Sequence, residues 1–196
     1  MTTPSSPTFQ RDGEIAREWW GRYIGPDASE TATRARLRRC RSVQEVLGVV
    51  PAIQLARRLG GMRTDRDVSA RLEAALGLAI VLANVRQDDP ENRLMRSVGW
   101  SSFPDDSKKK DLDQPVLSEL RFKRLLLSRQ DELIPAFSRL VKLMGGRANV
   151  ADVATGFLDW SHPWRGDRVR QRWAFDYYAA GAAAPSAPSS TETSAQ

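Results

Sequence analysis

Side chains able to do chemistry are sparse along this chain. Cys40 is its lone cysteine and His162 its lone histidine, which excludes an internal disulfide, a zinc site built on paired cysteines and any site that needs two histidines. Asp88-Asp89 and Asp105-Asp106 offer the oxygen ligands a hard cation prefers, but adjacent acids in a polar stretch are read here as solvated. Ser107 and Lys110 stand at S-x-x-K spacing without the S-D-N and K-T-G elements that would make it catalytic. Gly60-Gly61 and Gly145-Gly146 lack the G-x-x-x-x-G-K-[ST] frame of a phosphate loop and are read as helix ends. His162, between Trp160 and Trp164, is expected to pack or cap at a helix junction beside Pro163. The expectation is no catalytic residue, no metal and no cofactor.

The cations are patterned. Residues 31–60 carry Arg34, Arg36, Arg38, Arg39, Arg41, Arg57 and Arg58 against one acid, Glu45. A second group is Arg121, Lys123, Arg124 and Arg129, extended by Arg139, Lys142 and Arg147 and opposed mainly by Asp131 and Glu132. Helices can hold such cations at spacings that follow a phosphate backbone, and release of condensed counterions then drives binding without regard to sequence. The competing reading is a set of cations that only solubilise helix faces.

Elements that would position them read as helices throughout, because no stretch alternates apolar and polar residues long enough to argue a strand. Residues 12–23 place Ile15, Trp19 and Tyr23 on one face. Gly25-Pro26 breaks the chain, and Asp27 or Ser29 caps a second helix over 28–40 with a cationic last turn. Ser42 and Glu45 have capping-box spacing, and Pro51 opens a helix that stops at Gly60-Gly61. Residues 67–85 form the expected central helix of the first half, with Val68, Leu72, Ala75, Leu76, Ala79 and Leu82 as its stripe. Helices are expected again over 116–127, over 129–144 with Pro135 in its first turns or at a kink, over 150–160 started by Asn149 or Asp152, and over 163–178 opened by Pro163. Trp19, Trp160 and Trp173 fall at core positions, while Trp100, in a polar segment, stands apart.

The fold expected is an all-α helical bundle of two small halves, 11–86 and 115–178, joined by a polar loop at 87–114. A disordered lead over 1–10 and a disordered tail over 179–196 flank it, the tail being rich in small residues with few apolar anchors. With 196 residues and 41% apolar content the chain has material for a core. No apolar run approaches the roughly 18 to 20 residues a membrane span needs. The first ten residues lack a basic start and an apolar stretch, so the expected location is cytoplasmic. A formal charge of +6 favours an acidic partner.

Residues 118–126, SELRFKRLL, and 158–178, LDWSHPWRGDRVRQRWAFDYY, make the reading specific. With the earlier ARLRRC and PAIQLARRLG segments they resemble the CasB family, the small subunit of the type I-E CRISPR Cascade complex. There a Trp-containing helix precedes an L/I-R-R segment, an S/N-E-x-R-F helix and a W…V-R-x-R-W-x-x-D-Y/F-Y ending. The likeness runs over residues 12–178 in the same order; the 86–113 segment and the tail depart from it, and nothing is carried onto them.

That resemblance implies a non-catalytic helical protein present as a head-to-tail pair in a ribonucleoprotein with CRISPR RNA, beside the subunits CasC and CasA. It would stabilise the R-loop and the displaced strand of target DNA, an exchange nearly balanced in base pairing that backbone contacts can tip. The nucleic-acid contacts it implies are Arg38 and Arg39, then Arg121 and Arg124, with Arg139, Lys142, Arg63 and Arg66 as further candidates. Arg168, Arg170 and Arg172 flank Trp173 and Phe175, both expected in the core, and are read as packing or subunit contacts. Two other classes stand beside this one: a free-standing DNA-binding regulator, which would prefer one duplex sequence, and a scaffold that binds only proteins.

Overall fold

A computed structural model describes residues 7–28, 31–60, 68–100, 114–162 and 164–178. Among these are nine α-helices, α1 (Pro7–Tyr23), α2 (Thr31–Arg39), α3 (Val43–Val46), α4 (Val50–Gly60), α5 (Val68–Leu82), α6 (Glu119–Leu126), α7 (Leu133–Leu143), α8 (Val150–Trp160) and α9 (Gly166–Tyr178), with a 3-10 turn at Gln130–Glu132 leading into α7. The fold is all-α, as expected. Among the described residues the one sheet element is a two-residue parallel pairing of β1 (Gln87–Asp88) with β2 (Arg147–Ala148), too short to leave a period in the sequence.

Helix α5 organises the core. From Ala75 to Val85 every residue is buried, so this stretch is apolar on all sides as a central helix must be. It packs on α4, α3 and α2 and equally on α7 and α8, while α1 lies along α8. Helices from before and after the polar segment therefore share one continuous core. α7 and α8 contribute Phe137, Phe157 and Trp160, and α9 contributes Trp173, whose ring centroid lies 5.2 Å from Phe137 and 5.0 Å from Trp160.

Some local starts differ from the sequence expectation and others match it. α1 begins at Pro7, so Pro7–Gln10 of the expected disordered lead are helical; proline at an opening turn loses no intrahelical hydrogen bond. α4 starts at Val50, one residue ahead of Pro51. Asn149 is the cap of α8, its side chain accepting the Asp152 N–H at 3.0 Å. The last helix starts at Gly166, and Pro163, expected to open it, lies outside the described residues; at this junction His162 Nδ1 accepts the Trp164 N–H at 3.2 Å. Pro135 sits in the first turn of α7, where its missing N–H costs nothing.

The stretch 87–100 carries more structure than its polarity suggests. Leu94, Met95, Val98 and Trp100 are buried, which moves Trp100 from the polar segment into the core. Asp152 on α8 accepts the Leu94 N–H, and Asp176 on α9 pairs with Arg93 and Arg96. Asp88 and Asp89, expected as solvated acids, are partly buried ties instead: Asp88 accepts the Val150 N–H and pairs with Arg17, and Asp89 pairs with Arg147 at 2.8 Å. The Arg147 hydrogen bond holds the Asp89 carboxyl below the usual carboxylate range. Asp105-Asp106, Ser107 and Lys110, and the expected tail at 179–196, lie outside the described residues.

Candidate nucleic-acid interface

Helix α6 turns its cations outward because its apolar residues have a fixed destination. Phe122 stacks on Tyr177 of α9 with centroids 3.9 Å apart and planes 8° from parallel, and Tyr177 Oη donates to the Leu117 carbonyl at 2.6 Å. Burial pushes that phenol up, away from ionisation. With Phe122 and Leu125 inward, Arg121, Lys123 and Arg124 fall on the solvent face. In α7, Leu133, Ala136, Phe137, Leu140 and Val141 are buried, which leaves Arg139 and Lys142 exposed.

Between α6 and α7 runs a groove of about 680 Å³. Arg121, Arg124 and Arg139 line it, above a floor that includes Leu117, Leu125, Leu127 and Leu140. Leu127 is 80% exposed there. Glu132 is the groove's one carboxylate, and its Oε2 already accepts the Arg129 N–H at 3.0 Å. Among the described residues, none of the three arginines is in an ion pair. Lys142, on the same helix, does not line the groove.

Arg38 and Arg39 occupy the exposed last turn of α2, apart from that groove. Arg39 Nε donates to the Ala35 carbonyl at 3.1 Å, while Arg38 has no ion pair among the described residues. Burial, and then the fields of Arg38 and Arg86, lower the pKa of the Arg34 guanidinium. Arg86, at the edge of the polar segment, thus lies near enough for its charge to act on Arg34, which the sequence did not reveal. Arg63 and Arg66 lie outside the described residues.

Other cations have structural duties. Arg58 pairs with Glu18, Arg71 with Asp12 and Arg172 with Asp152. Arg170 donates to the Leu126 carbonyl, pairs with Asp167 and lies 4.9 Å over the Trp160 ring, tying α9 to α6 and α8. Phe175, expected in the core, is 76% exposed: Trp173 takes the inward position, and two residues further along a helix points far round the axis.

Among the described residues, no group of three or more histidine, cysteine or acidic side chains could hold a metal ion. Cys40 is buried, with its thiol pushed up first by that burial and then by Glu45. Among the same residues no helix is long and apolar enough to cross a membrane.

Fold and surface together define a helical bundle with exposed arginines along a groove between two of its helices. Residues 33–178 match the family of CRISPR-associated protein Cse2, and the chain belongs to that family, the Cse2/CasB family of type I-E Cascade. A solved structure with the same fold is CasB from Thermus thermophilus, at a TM-score of 0.55 and 21% identity over 89% of this chain and 99% of that one. No curated protein sequence matches the chain significantly.

Proposed function

We propose that this chain is the non-catalytic small subunit of a cytoplasmic, CRISPR RNA-guided Cascade complex. It acts there as a pair of copies beside CasC and CasA, and holds nucleic-acid backbone so that the R-loop and its displaced strand persist. The observation that supports the binding role best is the convergence of Arg121, Arg124 and Arg139 on one groove without ion-pair partners among the described residues. Exposed guanidinium groups held by packed helices meet phosphates in forked geometry, and contacts to backbone alone tip a nearly balanced strand exchange.

Arg38 and Arg39, with Lys142, are proposed as further contacts on the same strand path, and Arg63 and Arg66 are carried with them from the family resemblance. Reversing charge at Arg38, Arg39, Arg121 and Arg124 together should weaken R-loop formation in the assembled complex while leaving thermal unfolding unchanged. For the groove alone, Arg121, Arg124 and Arg139 changed to Ser should flatten the salt dependence of single-strand binding by about 2 in the log–log slope, from about 0.7 per lost phosphate contact. Unchanged R-loop yield in the fourfold variant would sink the assignment.

The leucine floor supports a second reading, in which the groove seats an apolar segment of a neighbouring subunit and its arginines meet that segment's acids. Under it, the groove variant loses subunit assembly and keeps its affinity for DNA.

A further inference from the structure

Helices α1 and α4 line a separate, half-open pocket of about 350 Å³ bounded by Trp19, Arg22, Tyr23, Gln54, Arg57 and Arg58. Its frame is rigid. Trp19 is 1% exposed, and its Nε1 donates to the Pro51 carbonyl at 2.7 Å, which fixes the floor. Tyr23 is half-buried, 6.0 Å from Trp19 between ring centroids, and its hydroxyl donates to Gln54 Oε1 at 2.7 Å, so this wall is pinned across the two helices. The Arg22 guanidinium carbon lies 5.4 Å from the Tyr23 ring centroid.

Charge around the pocket is lopsided. Arg58 is paired with Glu18, but Arg22 and Arg57 are exposed and in no ion pair among the described residues. The lining is mainly carbon, so a bare phosphate inside would lose hydration without repayment from the aromatic wall. A flat heteroaromatic ring suits it better, because rings stack on Tyr and on guanidinium planes. The volume is at the lower end of the range for small-ligand sites. Cations on such a pocket suit phosphates on either side of an inserted base.

We propose that this α1–α4 pocket receives one unpaired nucleobase of a single strand, with Arg22 and Arg57 taking the flanking phosphates. The inference rests on the nucleic-acid role proposed above and goes beyond it. Backbone contacts do not distinguish paired from unpaired strands, whereas a pocket that takes a base selects the unpaired one. None of its residues belongs to the α6–α7 groove, so the two sites can be disabled separately.

The test uses the full chain and three ligands: a short oligothymidine, an abasic oligonucleotide of the same length, and a blunt duplex. Tyr23→Ala should weaken oligothymidine binding about fivefold or more, the low end of base–aromatic stacking, and leave abasic and duplex binding as they were. Tyr23→Leu keeps apolar packing on Trp19 and removes the flat ring face; it should give the same pattern if the alanine variant folds poorly. Arg22→Ser with Arg57→Ser should weaken oligothymidine and abasic binding alike.

Equal losses on oligothymidine and abasic strands in the Tyr23 variants, or no loss at all, would overturn the base pocket. If the groove variant loses binding while the Tyr23 and Arg22/Arg57 variants do not, the inference fails and the proposed function stands. If the parent chain binds none of the three ligands, both fail. Loss of association with a protein partner only, in the pocket variants, would assign the site to a protein contact and also overturn the proposal.

Discussion

Gly99 is where a single methyl group should do the most damage. A Cβ built there would lie 2.2 Å from the Tyr177 carbonyl oxygen and 2.7 Å from the Tyr177 Cα. Ordinary contacts of this kind fall at 3.4–4 Å, and the obstructing atoms are backbone of α9, which cannot rotate aside. The neighbouring hydrogen bond from the Trp100 N–H to that same carbonyl, 2.9 Å, holds the two segments at this separation. Gly99→Ala must therefore push the segment off α9, breaking that bond and loosening the buried Val98 and Trp100.

Overpacking costs about 1–3 kcal/mol and a lost intramolecular hydrogen bond about 1 kcal/mol, so a destabilisation of about 2–4 kcal/mol is expected. That is a large share of the roughly 5–15 kcal/mol by which domains are stable. Gly21→Ala is the internal control: a Cβ on this exposed helical glycine meets nothing within 4 Å, and alanine there should stabilise by about 0.5–1 kcal/mol. Urea unfolding monitored by far-ultraviolet circular dichroism reads both. A Gly99→Ala midpoint within error of the parent would refute the reasoning, because it would mean that residues 97–100 do not rest on α9.

Two further outcomes follow from local chemistry. Burial, opposed by Arg165 at 3.5 Å, pushes the Asp159 carboxyl from 3.8 up to about 6. The folded chain then keeps a proton that the unfolded chain has released, so this group's stabilisation is full below the unfolded value and is lost as pH rises through about 6, a span of roughly 3 kcal/mol. Asp159→Asn should flatten that part of the stability profile, and urea midpoints that still fall as steeply as the parent's between about pH 4.5 and about pH 7.5 would rule the group out as the source. Asn149→Ala removes the α8 cap and the bond from Asn149 Nδ2 to the Pro90 carbonyl; a loss of about 1–2 kcal/mol is expected, and a change below about 0.5 kcal/mol would show that the cap is replaced by water.

Much of the positioning was readable before any coordinates. The 3.6-residue spacing of Ile15, Trp19 and Tyr23, the unbroken apolar run within α5, and the glycine pair after α7 follow from local rules, since a helix and its ends depend on residues within a few turns of each other. The outward placement of Arg121, Lys123 and Arg124 was legible for the same reason: Phe122 and Leu125 had to face inward. Likewise the scarcity of histidine and cysteine argued against most metal and nucleophile chemistry from composition alone, and the SELRFKRLL and C-terminal segments carried the family.

What tertiary structure decided depends on partners distant in the chain. Whether an arginine is available or already engaged is set by acids far away in sequence, as Glu18 engages Arg58 and Asp152 engages Arg172, and no periodicity encodes that choice. The same holds for 87–100, whose polar composition hid Leu94, Met95, Val98 and Trp100 until α8 and α9 supplied Asp152 and Asp176 to tie it down. A concave surface is more remote still from sequence. The α6–α7 groove and the α1–α4 pocket are each lined by residues of two helices, whose placement is set by packing against the shared core rather than by either helix alone.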